Sequence, residues 1–226
     1  LQPFLDKCHY RRGLKIKGSP LALVLNEGIQ RMHGLINRAI QCYVRDMHGE
    51  TAWAQISRQS GIGLDGFEAM QTYDRAMTES LLAASVRVLM RPRETILEDL
   101  GTFLVSNHSS DALRRLLRFG GVTFKDFLHT LEDTPGRGKL ALPDLDLPVM
   151  DLYEINPSIY MLQCRFPLEG AGHVIVGLLR AMADDYGALA LLDHDGYSLD
   201  GEMVLIQLLE VSYAQGRSFD LAARAD

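Results

Sequence analysis

Apolar positions along this chain keep a helical period through its first half and take up a strand period only in the second, and that change divides it. From His33 to Met47 they fall at Leu35, Ile36, Ala39, Ile40, Tyr43, Val44 and Met47. Steps of three and four line one face of a helix. Gly49 is a stop signal, Thr51 caps a short helix carrying Ala52, Trp53 and Ile56, and Gly61 ends it. A glycine-rich loop (Gly61, Gly63, Gly66) leads to a helix from Asp74 to Met90 with Met77, Leu81, Leu82, Val86 and Leu89 inward. Pro92 opens the next helix, where its missing N–H does little harm, and Ile96, Leu97, Leu100, Leu104 and Val105 line it. A shorter helix after Ser110 carries Leu113, Leu116 and Leu117 and closes at Gly120-Gly121. Thr123 opens another, with Phe124, Phe127, Leu128 and Leu131 inward.

The helical texture is expected to break at Pro135-Gly136-Arg137-Gly138. From Pro148 the period becomes two. Strands are predicted over 149–155 and 158–166, on either side of an Asn156-Pro157 turn. Leu168 to Tyr186 reads as a long helix with Val174, Ile175, Leu178, Leu179 and Met182 apolar. Two more strands, 187–193 and 202–209, are joined by a turn containing Asp195-Gly196. The plan is α+β: an N-terminal helical subdomain, then an antiparallel sheet with one long helix. The domain is expected over 32–210, with 1–31 as an extension and 211–226 as a tail.

Composition narrows the class. Of 226 residues 47% are hydrophobic, enough for a sizeable core. The net charge of -6, with no basic block, argues against nucleic acid as the main partner. Cys8, Cys42 and Cys164 form no CxxC pair, so a structural zinc is not expected, and so sparse a set suits the reducing cytoplasm. No apolar run is long enough for a membrane span. Arg11, Arg12, Lys15 and Lys17 precede Leu21-Ala22-Leu23-Val24-Leu25, but five apolar residues fall short of a signal peptide. Met32 is an alternative start.

Several segments carry a family resemblance. Met32-His33-Gly34-Leu35-Ile36, with Trp53 after it, is similar to the opening of H-NOX domains, the heme-based nitric oxide and oxygen sensors. Leu100-Gly101-Thr102-Phe103-Leu104-Val105 resembles that family's Phe-Gly-x-Tyr-Trp-Val, and Leu116 through Leu131 resembles its Leu-Leu-x-x-x-Gly…Phe-x-x-Phe-Leu-x-Asn-Leu. Ile175-Val176-Gly177-Leu178-Leu179 resembles the glycine-bearing helix after the heme motif. The segments stand in the family's order and spacing across residues 32 to 210.

The resemblance implies a heme ligated by a histidine, its two propionates bound by a Tyr-x-Ser-x-Arg motif. Counted from Leu131, the histidine position is Pro135; Arg137, Pro143, Leu145 and Pro148 keep the register beyond it. Counted back from Gly177, the Tyr, Ser and Arg positions are Cys164, Phe166 and Leu168. A pyrrolidine has no lone pair for iron, and both hydroxyls and the guanidinium are gone. Strand alternation points Arg165 to the opposite face. Ile36 and Pro148 complete the pocket positions implied by the resemblance, and His129, six residues before Pro135, is the replacement iron ligand considered.

Other candidates have plainer explanations. His129 also fits an exposed slot between Leu128 and Thr130; His33 and His173 fit surface or packing roles; His108 and His194 fit loops. Cys164 fits a small apolar filler of a half-buried strand. Asp184-Asp185 and Asp193-His194-Asp195 fit solvated clusters, and Gly61-x-Gly63-x-x-Gly66 lacks the strand and helix that a dinucleotide fingerprint needs. No Ser-His-Asp or paired-carboxylate constellation marks an enzyme. The expectation is a sensory domain responding to a diatomic gas at heme and signalling to a histidine kinase or a cyclic-dinucleotide enzyme. The alternatives are a heme-free interaction module and a sensor of apolar small molecules on the same fold.

Overall fold

Local capping sets most element boundaries. The computed structural model describes residues 31–62, 66–107, 117, 121–141, 144–198, 200–211, 213, 214 and 216. A short strand β1 (Arg31–His33) feeds α1 (Gly34–Ser60), whose N-cap is His33: its Nδ1 accepts from Leu35 N–H at 3.2 Å. His33 is therefore a helix cap. Gly49 takes φ 84° inside α1 and kinks it where the stop signal was read. Gly61 closes α1 in the left-handed region.

Strand β2 (Thr72–Asp74) pairs antiparallel with β1, Met32 opposite Tyr73. Neither strand is legible in the apolar period, since three residues hold barely one repeat. Asp74 caps α2 (Arg75–Leu89), accepting from Ala76 N–H at 2.8 Å, and α3 (Arg93–Ser106) follows Pro92. The helix expected after Ser110 lies largely outside the described residues. Thr123 starts α4 (Phe124–His129) with a reciprocal capping box to Asp126.

The predicted break at Pro135 is corrected. Residues Thr134–Ala141 form α5. Arg137 N–H reaches Asp133 carbonyl at 3.0 Å, so Pro135 sits in the first turn, whose N–H groups have no partner within the helix anyway.

The second half forms a four-stranded antiparallel sheet: β3 (Val149–Asn156), β4 (Ile159–Arg165), β5 (Leu189–Ser198) and β6 (Gly201–Glu210), in spatial order β3-β4-β6-β5. Helix α6 (Ala171–Tyr186) runs between the two hairpins. The expected turn at Asp195-Gly196 is instead a bulge inside β5, where the register shifts between His194 and Tyr197 and Gly196 takes φ 88°. One face of the sheet, carrying Met150, Tyr160, Leu162, Cys164, Leu192, Val204 and Ile206, packs against α4 and α6 as the C-terminal core. A second core joins Ile40, Tyr43, Trp53, Leu81, Leu97, Leu100 and Leu168 in the helical half.

The two cores meet where α3 lies along α6. The helices touch backbone to backbone. A Cβ on Gly101 would lie 2.0 Å from the Val174 carbonyl oxygen, and one on Gly177 would lie 1.9 Å from that of Glu98. Thr102 Oγ1 donates to the Gly177 carbonyl at 3.2 Å across the crossing.

Candidate functional site

The positions singled out in the sequence are divided by the fold. Ile36 packs on the helical core and Leu168 belongs to it, while Cys164 belongs to the sheet core. Phe166 packs on both. Phe166 therefore marks the seam between the cores, with Cys164 and Leu168 on either side of it along the chain. Pro135, on α5, and Pro148, just before β3, are half-buried. His129 is not drawn inward: its side chain is 48% exposed, its Nε2 is 3.9 Å from Glu154, and its ring meets Tyr160 edge-on at 6.0 Å. Arg165 ion-pairs with Asp151 at 2.5 Å on the face away from Cys164.

Beside Cys164 stands a residue the sequence reading missed. Glu202 pairs with Cys164 in the sheet register, and its residue exposure is 6%. Its carboxylate accepts from Gly170 N–H and Gly172 N–H, each at 2.9 Å, at the start of α6. It also bonds His194 Nε2 at 2.9 Å. Gly196 N–H donates to His194 Nδ1 at 3.3 Å, so the imidazole hydrogen sits on Nε2 and is donated to Glu202. His194 is thus a half-buried strand residue rather than a loop one. Its ring stacks on His173 with centroids 4.1 Å apart and planes 17° off parallel. His173 Nδ1 lies 3.2 Å from Glu98 on α3, which also holds Arg180. Strand parity signalled this cluster: Glu202 is in phase with Val204, Ile206 and Leu208, the inward row.

Burial, and after it the Glu202 charge, push the Cys164 thiol up to about 12, with Arg165 pulling the other way. Cys164 is therefore a neutral thiol near pH 7, a poor metal ligand and a poor nucleophile. Asp185 is buried, contrary to the solvated expectation for Asp184-Asp185. Asp193 and Asp195 are exposed. Among the described residues no group of three or more His, Cys, Asp or Glu side chains is placed to hold a metal ion. No helix among them is long and apolar enough to cross a membrane.

A separate cleft of about 590 Å³ opens beside the α1 kink, lined by Tyr43, Asp46, His48, Arg91, Asp99 and Phe103. Its polar groups pair with one another: Arg91 with Asp99, Tyr43 with Asp99 and His48. Burial first, then Asp99, push the Tyr43 hydroxyl up to about 12.

The fold and its order of elements have known counterparts. Residues 33–190 match the Haem-NO-binding family over most of the chain. The chain belongs to the Haem-NO-binding family. An H-NOX protein from K. algicida, solved as unliganded Fe(II), superposes with a TM-score of 0.68 at 19% identity, over 81% of this chain and 100% of that one. One from S. oneidensis in the Fe(II)NO state gives 0.66 at 17% identity, over 79% and 100%. At such identities the likeness concerns the fold. A Caenorhabditis elegans protein described as soluble guanylate cyclase gcy-31 is 24% identical over 181 residues, 78% of this chain. The chain spans 26% of that relative's length. Sensing and signalling is the role of Haem-NO-binding domains, and this chain is a domain of that kind.

The heme such domains hold can be tested against the residues present. A ligating imidazole and a propionate clamp need a nitrogen lone pair, hydroxyls and a guanidinium. Pro135, Cys164, Phe166 and Leu168 supply none of these. The guanidinium of Arg93 reaches the start of α6 from α3; its two terminal nitrogens bond Glu79 at 2.7 Å and the Glu169 carbonyl at 2.8 Å, and its buried Nε has no partner among the described residues. By donor chemistry the residues do not fit a heme held in the family manner.

Proposed function

We propose that this chain is a cytoplasmic sensory domain of the Haem-NO-binding family that signals through protein contacts and holds no heme by the family's ligand and clamp. One observation carries the reading. At the seam beside α6 the clamp positions are thiol, phenyl and isobutyl groups, and a buried carboxylate, Glu202, stands next to the first of them. A propionate brought there would meet a like charge where the dielectric is low, and the nearby guanidiniums of Arg93 and Arg165 already pair with Glu79 and Asp151. Pro135 removes the iron ligand independently.

The output is assigned to a partner protein, a histidine kinase or a cyclic-dinucleotide enzyme, and the chain itself is assigned no catalysis. The partial match to a guanylate cyclase supports an enzymatic output. Signalling still needs two protein states that a ligand or partner binds unequally. The junction of α3 with α6 is the element assigned to that change.

The visible spectrum of freshly purified protein tests the reading, before and after incubation with hemin and gel filtration. A colourless protein that stays so is expected. A Soret band at near-stoichiometric heme would overturn the proposal. If such a band appeared and His129→Ala abolished it, iron ligation would pass to His129.

A further inference from the structure

The first backbone N–H groups of a helix have no partner inside it. The N-cap of α6 is Gly170, which has no side chain to offer them. Glu202 reaches across from β6 and takes two of them, one on each oxygen. A carboxylate taken out of water is costly unless paired and hydrogen-bonded. This one has both helix N–H groups, the positive end of the α6 dipole and the His194 N–H. The fit is close: a Cβ on Gly172 would lie 2.8 Å from both Glu202 Oε2 and His194 Cδ2. From His194 the contacts pass through the stacked His173 ring to Glu98, so one line joins β6, β5, α6 and α3.

We infer that Glu202 is a built-in carboxylate latch. It fills the anion-binding position at the start of α6 from within the polypeptide, beside the Cys164–Leu168 segment. It thereby fixes α6, and through the His194–His173 stack the junction with α3, without any bound ligand. Its functional meaning rests on the heme-free reading: a domain latched by its own side chain changes state when that side chain is displaced, not when an outside carboxylate arrives. His194 is the positioning residue, oriented by the Gly196 bulge.

Glu202→Ala in the full chain leaves two N–H donors and an imidazole N–H around a carboxylate-sized gap. The variant is expected to melt several degrees below wild type, and sodium acetate is expected to restore at least half of the loss in a saturable manner. Sodium chloride at equal ionic strength and acetamide should not, and wild type should not respond to acetate. Equal responses of wild type and variant, or none in the variant, would overturn the latch. If the alanine variant does not fold, Glu202→Gln gives the second reading. Its amide protons at Gly170 and Gly172 should exchange at least about tenfold faster than in wild type, the equivalent of one charge-assisted hydrogen bond, while Leu162 in the sheet is unchanged. Unaltered exchange at both glycines would overturn the inference. Acetate rescue in a chain that also binds stoichiometric heme would keep the latch and remove the heme-free reading. No rescue in a colourless protein would do the reverse.

Discussion

Gly177→Ala places a methyl group where α3 and α6 cross. On the present backbone that carbon would lie 1.9 Å from the Glu98 carbonyl oxygen and 3.0 Å from Thr102 N. Ordinary carbon–oxygen contacts are about 3.4 Å, so the helices must part by roughly 1.5 Å. Both atoms belong to the backbone, so no side-chain rotation relieves the clash. Parting the helices loosens the Leu97 and Leu100 packing and lengthens the Thr102–Gly177 hydrogen bond. Overpacking costs ~1–3 kcal/mol, and this rigid contact belongs at the upper end; replacing a helical glycine by alanine returns ~1 kcal/mol. The net loss is about 2 kcal/mol, a fall in Tm of roughly 4–8 °C for a chain of this size. Urea denaturation and thermal melting measure it, with Gly136→Ala as control because a Cβ there meets nothing within 4 Å. Gly101→Ala should behave like Gly177→Ala, and the pair should lose less than the sum, since helices already parted are not parted twice. A Gly177→Ala variant as stable as the Gly136→Ala control would refute the close crossing.

The Cys164 thiol and Tyr43 hydroxyl predict a loss of stability in alkali. Their ordinary values are 9.0 and 10.0 and both rise to about 12 in the fold, so the unfolded chain releases these protons first. Stability from this source is full below about pH 9 and falls as pH rises towards 12. Cys164→Ala and Tyr43→Phe should each flatten the decline of the urea midpoint between pH 9 and 11; an unchanged slope would refute the assignment. The same burial makes native Cys164 resist iodoacetamide while the partly exposed Cys42 reacts, a difference that urea should erase and peptide mapping would read. Thr123→Ala removes the α4 capping box and should cost about 1 kcal/mol in urea denaturation, a value near zero telling against the cap.

Much of the fold was legible because the decisive signals are local. Asp74, Pro92 and Thr123 begin helices where their side chains or missing N–H make a start favourable, and Gly49 kinks where a positive φ is needed. Failures came where one residue type serves two geometries. Pro135 reads as a breaker yet is tolerated in a first turn, and Asp195-Gly196 reads as a hairpin turn yet forms a bulge. The assignment of Pro135, Cys164, Phe166 and Leu168 to the ligand and clamp positions rests on counting along the chain. The role of Glu202 was not legible, although its parity with Val204, Ile206 and Leu208 placed a charge on the inward row.

The chain alone determined the change from a period near 3.6 to one of two, the order of its elements and the side chains at the seam. Those are properties of a few neighbouring residues and their backbone geometry. Only the tertiary structure decided that Glu202 meets Gly170 and Gly172 across 32 and 30 residues and that His173 meets Glu98 across 75. Such meetings depend on which faces pack and how closely two helices cross, and no local pattern encodes that geometry.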